Sequence, residues 1–205
     1  MKKIVCGLMA VGLALTGCGS QSSTKDKADV KVGVIQYMQH DALDASYKGF
    51  KDTLVKAGYK ASNITLKNAS GENSNCETIA ESLVNDGNDL IYAIATPAAQ
   101  TVANVTSDIP IVATAVTDYK TAKLVKDNAK PGTNVTGTTD MNPVAEQLDL
   151  LLKLVPNAKT IGTIYCSSEV NSQLQVELLK KAAAAKGITV KEATVSTVND
   201  IQQAA

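Results

Sequence analysis

Few side chains in this 205-residue chain could do nucleophilic, redox or metal chemistry: it has four cysteines, one histidine and no arginine. His40 has no cysteine or acid partners at ligand spacing, so no metal centre is assigned. A single imidazole also leaves most histidine-based proton transfer without its machinery, and no catalytic residue or cofactor is assigned. What remains is a set of polar loops at residues 37–42 (YMQHDA), 96–100 (TPAAQ), 117–119 (TDY), 139–142 (TDMN) and 167–172 (SSEVNS). They are rich in hydroxyls, amides and acids, and several run straight into helix-like stretches. The start of a helix offers free N–H groups and a partial positive charge, which suit a carboxylate or phosphate. Without arginine, an anionic ligand group would have to be held in this way. The plainer reading of Asp41, Thr96 and Ser168 is that they only cap helices.

The elements that must position these loops alternate. Residues 30–36 (VKVGVIQ) read as a buried strand, after which Leu43, Tyr47, Phe50 and Leu54 recur at helical spacing until Gly58. Residues 63–67 form a second strand, and Asn73 or Ser74 caps a helix carrying Ile79, Ala80, Leu83 and Val84. Residues 89–95 (DLIYAIA) are almost continuously apolar, as a strand covered on both faces must be. Pro97 suits the first turn of the next helix, and residues 109–116 and 134–138 supply a fourth and a fifth strand. The pattern then restarts: a helix from Pro143, a strand at 160–166, a helix at 171–186, a strand at 188–195 and a helical start at Asp200. Repeated βα units predict parallel sheets with right-handed crossovers. In such sheets ligands bind outside the carboxyl ends of the strands, where the polar loops lie.

The first residues carry an address. Lys2 and Lys3 precede an uncharged apolar run over residues 4–16. That run is shorter than the roughly 20 residues a membrane span needs and fits a secretory signal. It closes on Leu15, Thr16, Gly17 and Cys18, which resemble the lipobox read by lipoprotein signal peptidase. The resemblance implies an exported protein whose Cys18 is linked to diacylglycerol, anchored by lipid to the extracytoplasmic face of the cell membrane. Residues 19–29 (GSQSSTKDKAD) are too polar to fold and read as a flexible tether. With the signal removed, 18 lysines face 20 acids, a formal charge of −2. Near-neutral charge, no arginine and one phenylalanine exclude a nucleic-acid binder. Cys6 leaves with the signal, so Cys76 and Cys166 are the cysteines of the folded part; one disulfide between them is arithmetically possible.

Five segments give a family likeness: QHDALDASYKGFKDTL, NDLIYAIATPAAQTVAN, IPIVATAVTD, GTNVTGTTDMNPVAEQ and NAKTIGTIYCSSEVNS. Together they resemble the solute-binding lipoproteins of ABC importers, in the branch described as tryptophan/tyrosine transport. The resemblance implies an α/β, two-lobed fold like periplasmic binding proteins, each lobe a parallel sheet with helices on both faces, the second lobe truncated. Its division would be a signal at 1–17, a lipidated cysteine and tether at 18–29, a first lobe at 30–140, and a hinge crossing with an incomplete second lobe at 141–205. It implies a small-molecule solute, an aromatic amino acid, held in the cleft and delivered to an ABC permease and its ATPase. The family's cleft positions fall on Gln39, His40, Asp41, Thr96, Ala98, Thr117, Asp118, Asp140, Ser167, Ser168 and Asn171. Asp41 stands where relatives usually have proline, and Cys166 where they usually have asparagine.

Composition adds a hint of its own. Sugar-binding proteins stack the ring on large aromatics, and here there is no tryptophan and only Phe50, at a core helix position. Two other readings share the fold. A ligand-sensing receptor would present the same cleft to a different partner. An amino-acid racemase would need facing cysteines across the cleft; Cys166 ends a strand there, but Cys76 falls at helical spacing with Ile79, Ala80 and Leu83, on a buried face.

Overall fold

A computed structural model describes residues 25–205; the signal and Cys18 lie outside the described residues. The first unit is a parallel sheet of β1 (Val32–Gln36), β2 (Ile64–Asn68), β3 (Leu90–Ile94), β4 (Ile111–Val116) and β5 (Val135–Thr139), in the order β2-β1-β3-β4-β5. The order reverses at β1, so the loops after β1 and β3 flank a crevice at the carboxyl edge. All five residues of β1 are buried. Its alternate side chains feed two different cores, which is why the strand reads as a continuous apolar run.

On one face α1 (Asp41–Lys56) lays Leu43, Tyr47, Phe50 and Leu54 against Val32, Val34, Tyr92 and Ile94. Phe50 stacks on Tyr92 with centroids 3.8 Å apart and planes 6° from parallel. On the other face α2 (Asn73–Asn85) and α3 (Thr96–Val105) cover Ile35, Ile91, Ala93, Ile111 and Ala113, burying Cys76, Leu83 and Val102. Cys76 and Cys166 are both free thiols. Cys76 has no exposed surface, and burial, with a smaller effect of Glu77, pushes its thiol up to about 11. Glu72 rather than Asn73 or Ser74 occupies the cap position of α2, and it makes no side-chain cap bond.

A second unit follows α4 (Val144–Leu154): β6 (Thr160–Cys166) and β7 (Thr189–Val195) pair in parallel around α5 (Val170–Ala184). A four-residue helix, α6 (Ile201–Ala204), ends the chain. Leu148 and Leu152 of α4 share one small core with Ala183, Ile188, Ile161 and Val190. Both long helices therefore lie on the same face of the two-stranded sheet. Leu150, Leu154, Val155 and Ile164 remain 57, 75, 54 and 42 % exposed. Among the described residues no helix is long and apolar enough to cross a membrane.

Residues 25–29, which the sequence assigns to the tether, lie against the first unit. The Lys25 ammonium reaches both carboxylate oxygens of Asp89 at 2.9 and 2.7 Å, and the Asn63 amide donates to the Ala28 carbonyl at 3.0 Å. Composition alone marks this stretch as unable to form a core; it carries donors and acceptors enough to dock on one already formed.

Candidate functional site

The carboxyl edge of the first sheet is shaped by backbone before side chains. Ala95, between β3 and α3, has φ 87° and ψ 152°, a region that costs a non-glycine residue roughly 1–3 kcal/mol. The strained residue turns the chain so that α3 begins immediately with its first N–H groups at the crevice. Its amide is held by the Thr114 carbonyl at 3.0 Å. Register shifts between Ala113 and Val116 of β4, with Ala115 at φ 53°, redirecting the strand into the loop that carries Thr117 and Asp118.

Thr96, the first residue of α3, is 2 % exposed, and its hydroxyl oxygen is buried without a hydrogen-bond partner. Asn171, near the start of α5, donates to Glu169 at 3.1 Å, but its carbonyl oxygen is likewise buried and unpartnered. These two atoms belong to opposite units, and their residues line one recess together with Asp118, Thr121, Ala122, Val170 and Leu174. The recess has no room for a water-sized sphere. Val170 packs directly against the core of the first unit, so the two units are closed on each other.

The remaining positions divide. Gln39 and His40 are exposed in the loop after β1, and Asp41 is exposed as the first residue of α1. His40 is the helix cap of α1, its Nδ1 accepting from the Ala42 amide at 3.2 Å. Ala98 has a fully buried side chain within the core, so what it can offer a ligand is its first-turn N–H. Thr117 is 5 % exposed, and its carbonyl accepts from the Thr139 hydroxyl at 2.6 Å. Asp118 borders the recess, with its carboxylate engaged by the Thr121 amide at 2.6 Å and the Asn128 amide at 2.9 Å. Partial burial opposes its ionisation, but the bonds from Thr121 and Asn128, aided by Lys120, outweigh that and hold the carboxyl below its ordinary value. Asp140 is exposed after β5, as are Ser167 and Ser168 after β6. The Ser168 hydroxyl lies 3.1 Å from the Cys166 sulfur. The structure thus gathers Thr96, Asp118 and Asn171 at one point and leaves Gln39, Asp140 and Ser167 outside it.

Two residues of the carboxyl-edge loops and strand ends were not singled out in the sequence. Gln36 ends β1 with no exposed surface; its amide donates to Asp44 at 2.6 Å and to the Met38 carbonyl at 2.9 Å, and its carbonyl oxygen has no partner. The available signal was a lone amide closing an apolar strand. Glu169 was hidden inside its loop, yet it acts across the units on Tyr37. Burial pushes the Tyr37 phenol up to about 12, with further contributions from Glu169, Cys76, Cys166 and Glu72. A raised phenol value favours the neutral form in the fold. Its contribution is complete below the unfolded value near 10 and is lost as pH rises through about 12. Difference titration of the native chain against Tyr37→Phe is expected to show one tyrosine ionising near 12. In Glu169→Gln that step moves toward the ordinary value; an unmoved step would mean that the units do not meet at Tyr37 in solution.

Residues 31–205 match the sequence profile of the ABC transporter substrate binding protein family. The chain belongs to that family. Among curated relatives of this chain is a tyrosine-binding protein of Clostridioides difficile (strain R20291), 42% identical over 98% of the present chain and 61% of its own length. Among solved structures, an ABC domain in complex with L-Trp from Streptococcus pneumoniae superposes with a TM-score of 0.81 at 46% identity, over 85% of this chain and 60% of that one. A ligand-free, open substrate binding protein with adhesive properties from Clostridium difficile gives 0.64 at 45% identity and the same two coverages. The chain thus spans about 60% of the length of these relatives. At matched identity and coverage, its geometry is nearer to the L-Trp complex than to the open form, in keeping with the closed recess between Thr96 and Asn171.

Proposed function

We propose that this chain is the solute-binding component of an ABC importer, which captures an aromatic amino acid between two lobes and presents it to a permease driven by its ATPase. The observation that carries the reading is that two residues with unpartnered buried oxygens, Thr96 (Oγ1) from one unit and Asn171 (Oδ1) from the other, line a single recess. A buried polar atom left unpaired costs roughly 1–3 kcal/mol. Both residues line the same recess, so a polar ligand group admitted when the units part could satisfy both atoms. The starts of α3 and α5 converge on the same recess, and helix N-termini suit a carboxylate. Val170 in its wall and Tyr37, which packs against the same core of the first unit, supply apolar and aromatic surface. The tyrosine and L-Trp named for the relatives support an aromatic amino acid over a sugar.

In this reading there is no catalytic step. Solute enters when the units part, and affinity reports how far the closed state is favoured over the open one. The sequence at Leu15, Thr16, Gly17 and Cys18 supports export and a lipid anchor at Cys18, which would keep the receptor at the extracytoplasmic membrane face beside its permease.

The test is a chimera in which residues 25–205 replace the corresponding part of the L-Trp-bound Streptococcus protein, screened by thermal shift and calorimetry against all amino acids and common sugars. L-Trp or L-Tyr is expected to raise the melting temperature, because a ligand at 100 times its Kd adds about 2.7 kcal/mol to the folded state. A folded chimera stabilised only by a sugar, or by nothing, would sink the proposal.

A further inference from the structure

The glutamate at the start of α5 does not serve the helix in the usual way. Glu169 holds the cap position with extended backbone (φ −102°, ψ 116°), yet its side chain makes no cap bond to the first-turn amides. Caps are ordinarily serine, threonine, aspartate or asparagine, whose short side chains reach those amides. Glu169 turns onto side chains instead: its Oε2 accepts from the Asn171 amide nitrogen at 3.1 Å and from the Ser172 hydroxyl at 3.4 Å. Its backbone is held from both sides. The Glu169 amide donates to the Cys166 carbonyl at 3.3 Å, and the Glu169 carbonyl accepts from the Gln173 amide at 3.1 Å. The Gln173 side-chain amide donates to the Ser167 carbonyl at 2.6 Å and fixes the turn before it. Glu169 is thus a fixed, half-buried acceptor beside Asn171. It stands at the boundary of the units, where burial first and Glu169 next raise the Tyr37 phenol.

A carboxylate only accepts, so it dictates which way the Asn171 amide is turned. Glu169 takes the nitrogen end, and the oxygen end is the one buried without a partner. Without that hold the amide could turn over and put its nitrogen in the place of its oxygen, since the two ends are nearly alike in size. Thr96, 2 % exposed and with its own hydroxyl unpartnered, lines the same recess as Asn171, and Asp118 borders it. No lysine is among the lining residues. The helix starts can donate to a ligand carboxylate, but a carboxylate has no hydrogen to give the Asn171 oxygen. A protonated amine has three to give and accepts none.

We propose that Glu169 is a positioning residue for ligand selectivity: by holding the nitrogen end of the Asn171 amide, it reserves the oxygen end for the α-ammonium of an amino acid, and so favours amino acids over the corresponding acids that lack the amine. This rests on the reading of the ligand as an aromatic amino acid. Asn171 touches the ligand, and Glu169 acts through it. A glutamate that served only the end of the helix would stabilise the fold by its charge and affect every ligand alike. One that sets the amide separates ligands by what they can donate.

Selectivity is read on the chimera by calorimetry with L-Trp and with indole-3-propionate, which keeps a ring and a carboxylate but has no amine. The parent chimera is expected to prefer L-Trp by about tenfold or more, as a hydrogen bond to a charged group allows. In Glu169→Gln the side chain can present either an oxygen or a nitrogen and no longer dictates the turn of Asn171. That variant is expected to narrow the preference by about fivefold or more through weaker L-Trp binding, with indole-3-propionate moved by less than about twofold. A parent without the preference, or an equal fall for both compounds in the variant, overturns the proposal. In an Asn171→Ala background, Glu169→Gln is expected to change the preference by less than about twofold. A full effect there would mean that the charge reaches the ligand without Asn171, and it overturns the positioning role. The contact itself is read on the 205-residue chain by exchange of side-chain amide hydrogens. Those of Asn171 are expected to exchange about threefold or more slowly than in Glu169→Ala, and equal rates overturn the contact. A folded parent chimera that binds neither compound overturns the aromatic amino-acid reading and the selectivity with it, whereas slow exchange in the chain still upholds the hold on Asn171.

Discussion

Gly137→Ala is expected to lower the stability of the first unit by about 3 kcal/mol or more, at or beyond the upper end of ordinary overpacking. Gly137 lies in β5 opposite Ala113 of β4, and a methyl group there would stand 1.9 Å from the Ala113 carbonyl oxygen and 2.2 Å from the Tyr119 hydroxyl. The empty position lets the Tyr119 hydroxyl cross over the strand, donate to the Ala113 carbonyl at 2.7 Å and approach the Thr138 carbonyl at 3.1 Å. Tyr119 is 8 % exposed, and its burial drives the phenol well above its ordinary value, so the hydroxyl must keep its proton and a partner. The crossing pins the loop of Thr117 and Asp118 to the sheet, which links this glycine to the cleft. A thermal melt is expected to fall by roughly 6–12 °C, at the 2–4 °C per kcal/mol usual for a chain of this size. Tyr119→Phe alone loses about 1 kcal/mol, the net worth of one hydrogen bond. Adding it to Gly137→Ala does not restore stability, because the Ala113 carbonyl still blocks the methyl group. A Gly137→Ala chain that melts with the parent would refute the packing described for this edge.

Thr96→Val is expected to move stability and binding in opposite directions. Valine matches threonine in shape, and at Thr96 it replaces a hydroxyl that has no partner and almost no exposure. Removing an unsatisfied buried hydroxyl stabilises the ligand-free chain by about 1 kcal/mol. If the hydroxyl serves the ligand, the same substitution weakens binding about tenfold or more, because a hydrogen bond to a charged group contributes roughly 1.5–3 kcal/mol. Denaturant melts of the 205-residue chain and calorimetry on the chimera measure the two effects. A variant that is less stable but binds unchanged would show Thr96 to be a packing residue only. The strained Ala95 before it points the same way: backbone strain held at the mouth of a cleft is characteristic of sites where geometry is fixed for a ligand.

Much of this was legible in the chain. The five strands of the first sheet, the restart after Pro143, and the carboxyl-edge loops follow from apolar periodicity and punctuation, since a strand buried on both faces and a helix buried on one leave different patterns. Cys76 could be assigned to the core by its spacing from Ile79, Ala80 and Leu83, and it has no exposed surface. Thr96 and Asn171 stood among the cleft positions implied by the family resemblance, in polar loops that run into helices. The proposed lipid anchor at Cys18 rests on a short motif alone and lies outside the described residues.

Other features depended on which distant segments meet. Nothing local distinguishes the unpartnered oxygens of Thr96 and Asn171 from the satisfied ones of Thr139 or Asn128, because satisfaction is a property of the neighbours. Gln36 could pass as the polar end of a strand until Asp44 and Met38 were found on its amide. The influence of Glu169 on Tyr37 joins residues 132 positions apart and exists only because the two units close. Residues 25–29 read as tether because they cannot bury a core of their own, whereas docking asks only for matching donors and acceptors on a surface formed elsewhere. The sequence by itself therefore determined the elements and their order, both governed by local periodicity and punctuation. The tertiary structure decided which polar groups are paired, which end of the first unit the N-terminal segment holds, and how closely the units meet. Those depend on distances between residues far apart in the chain.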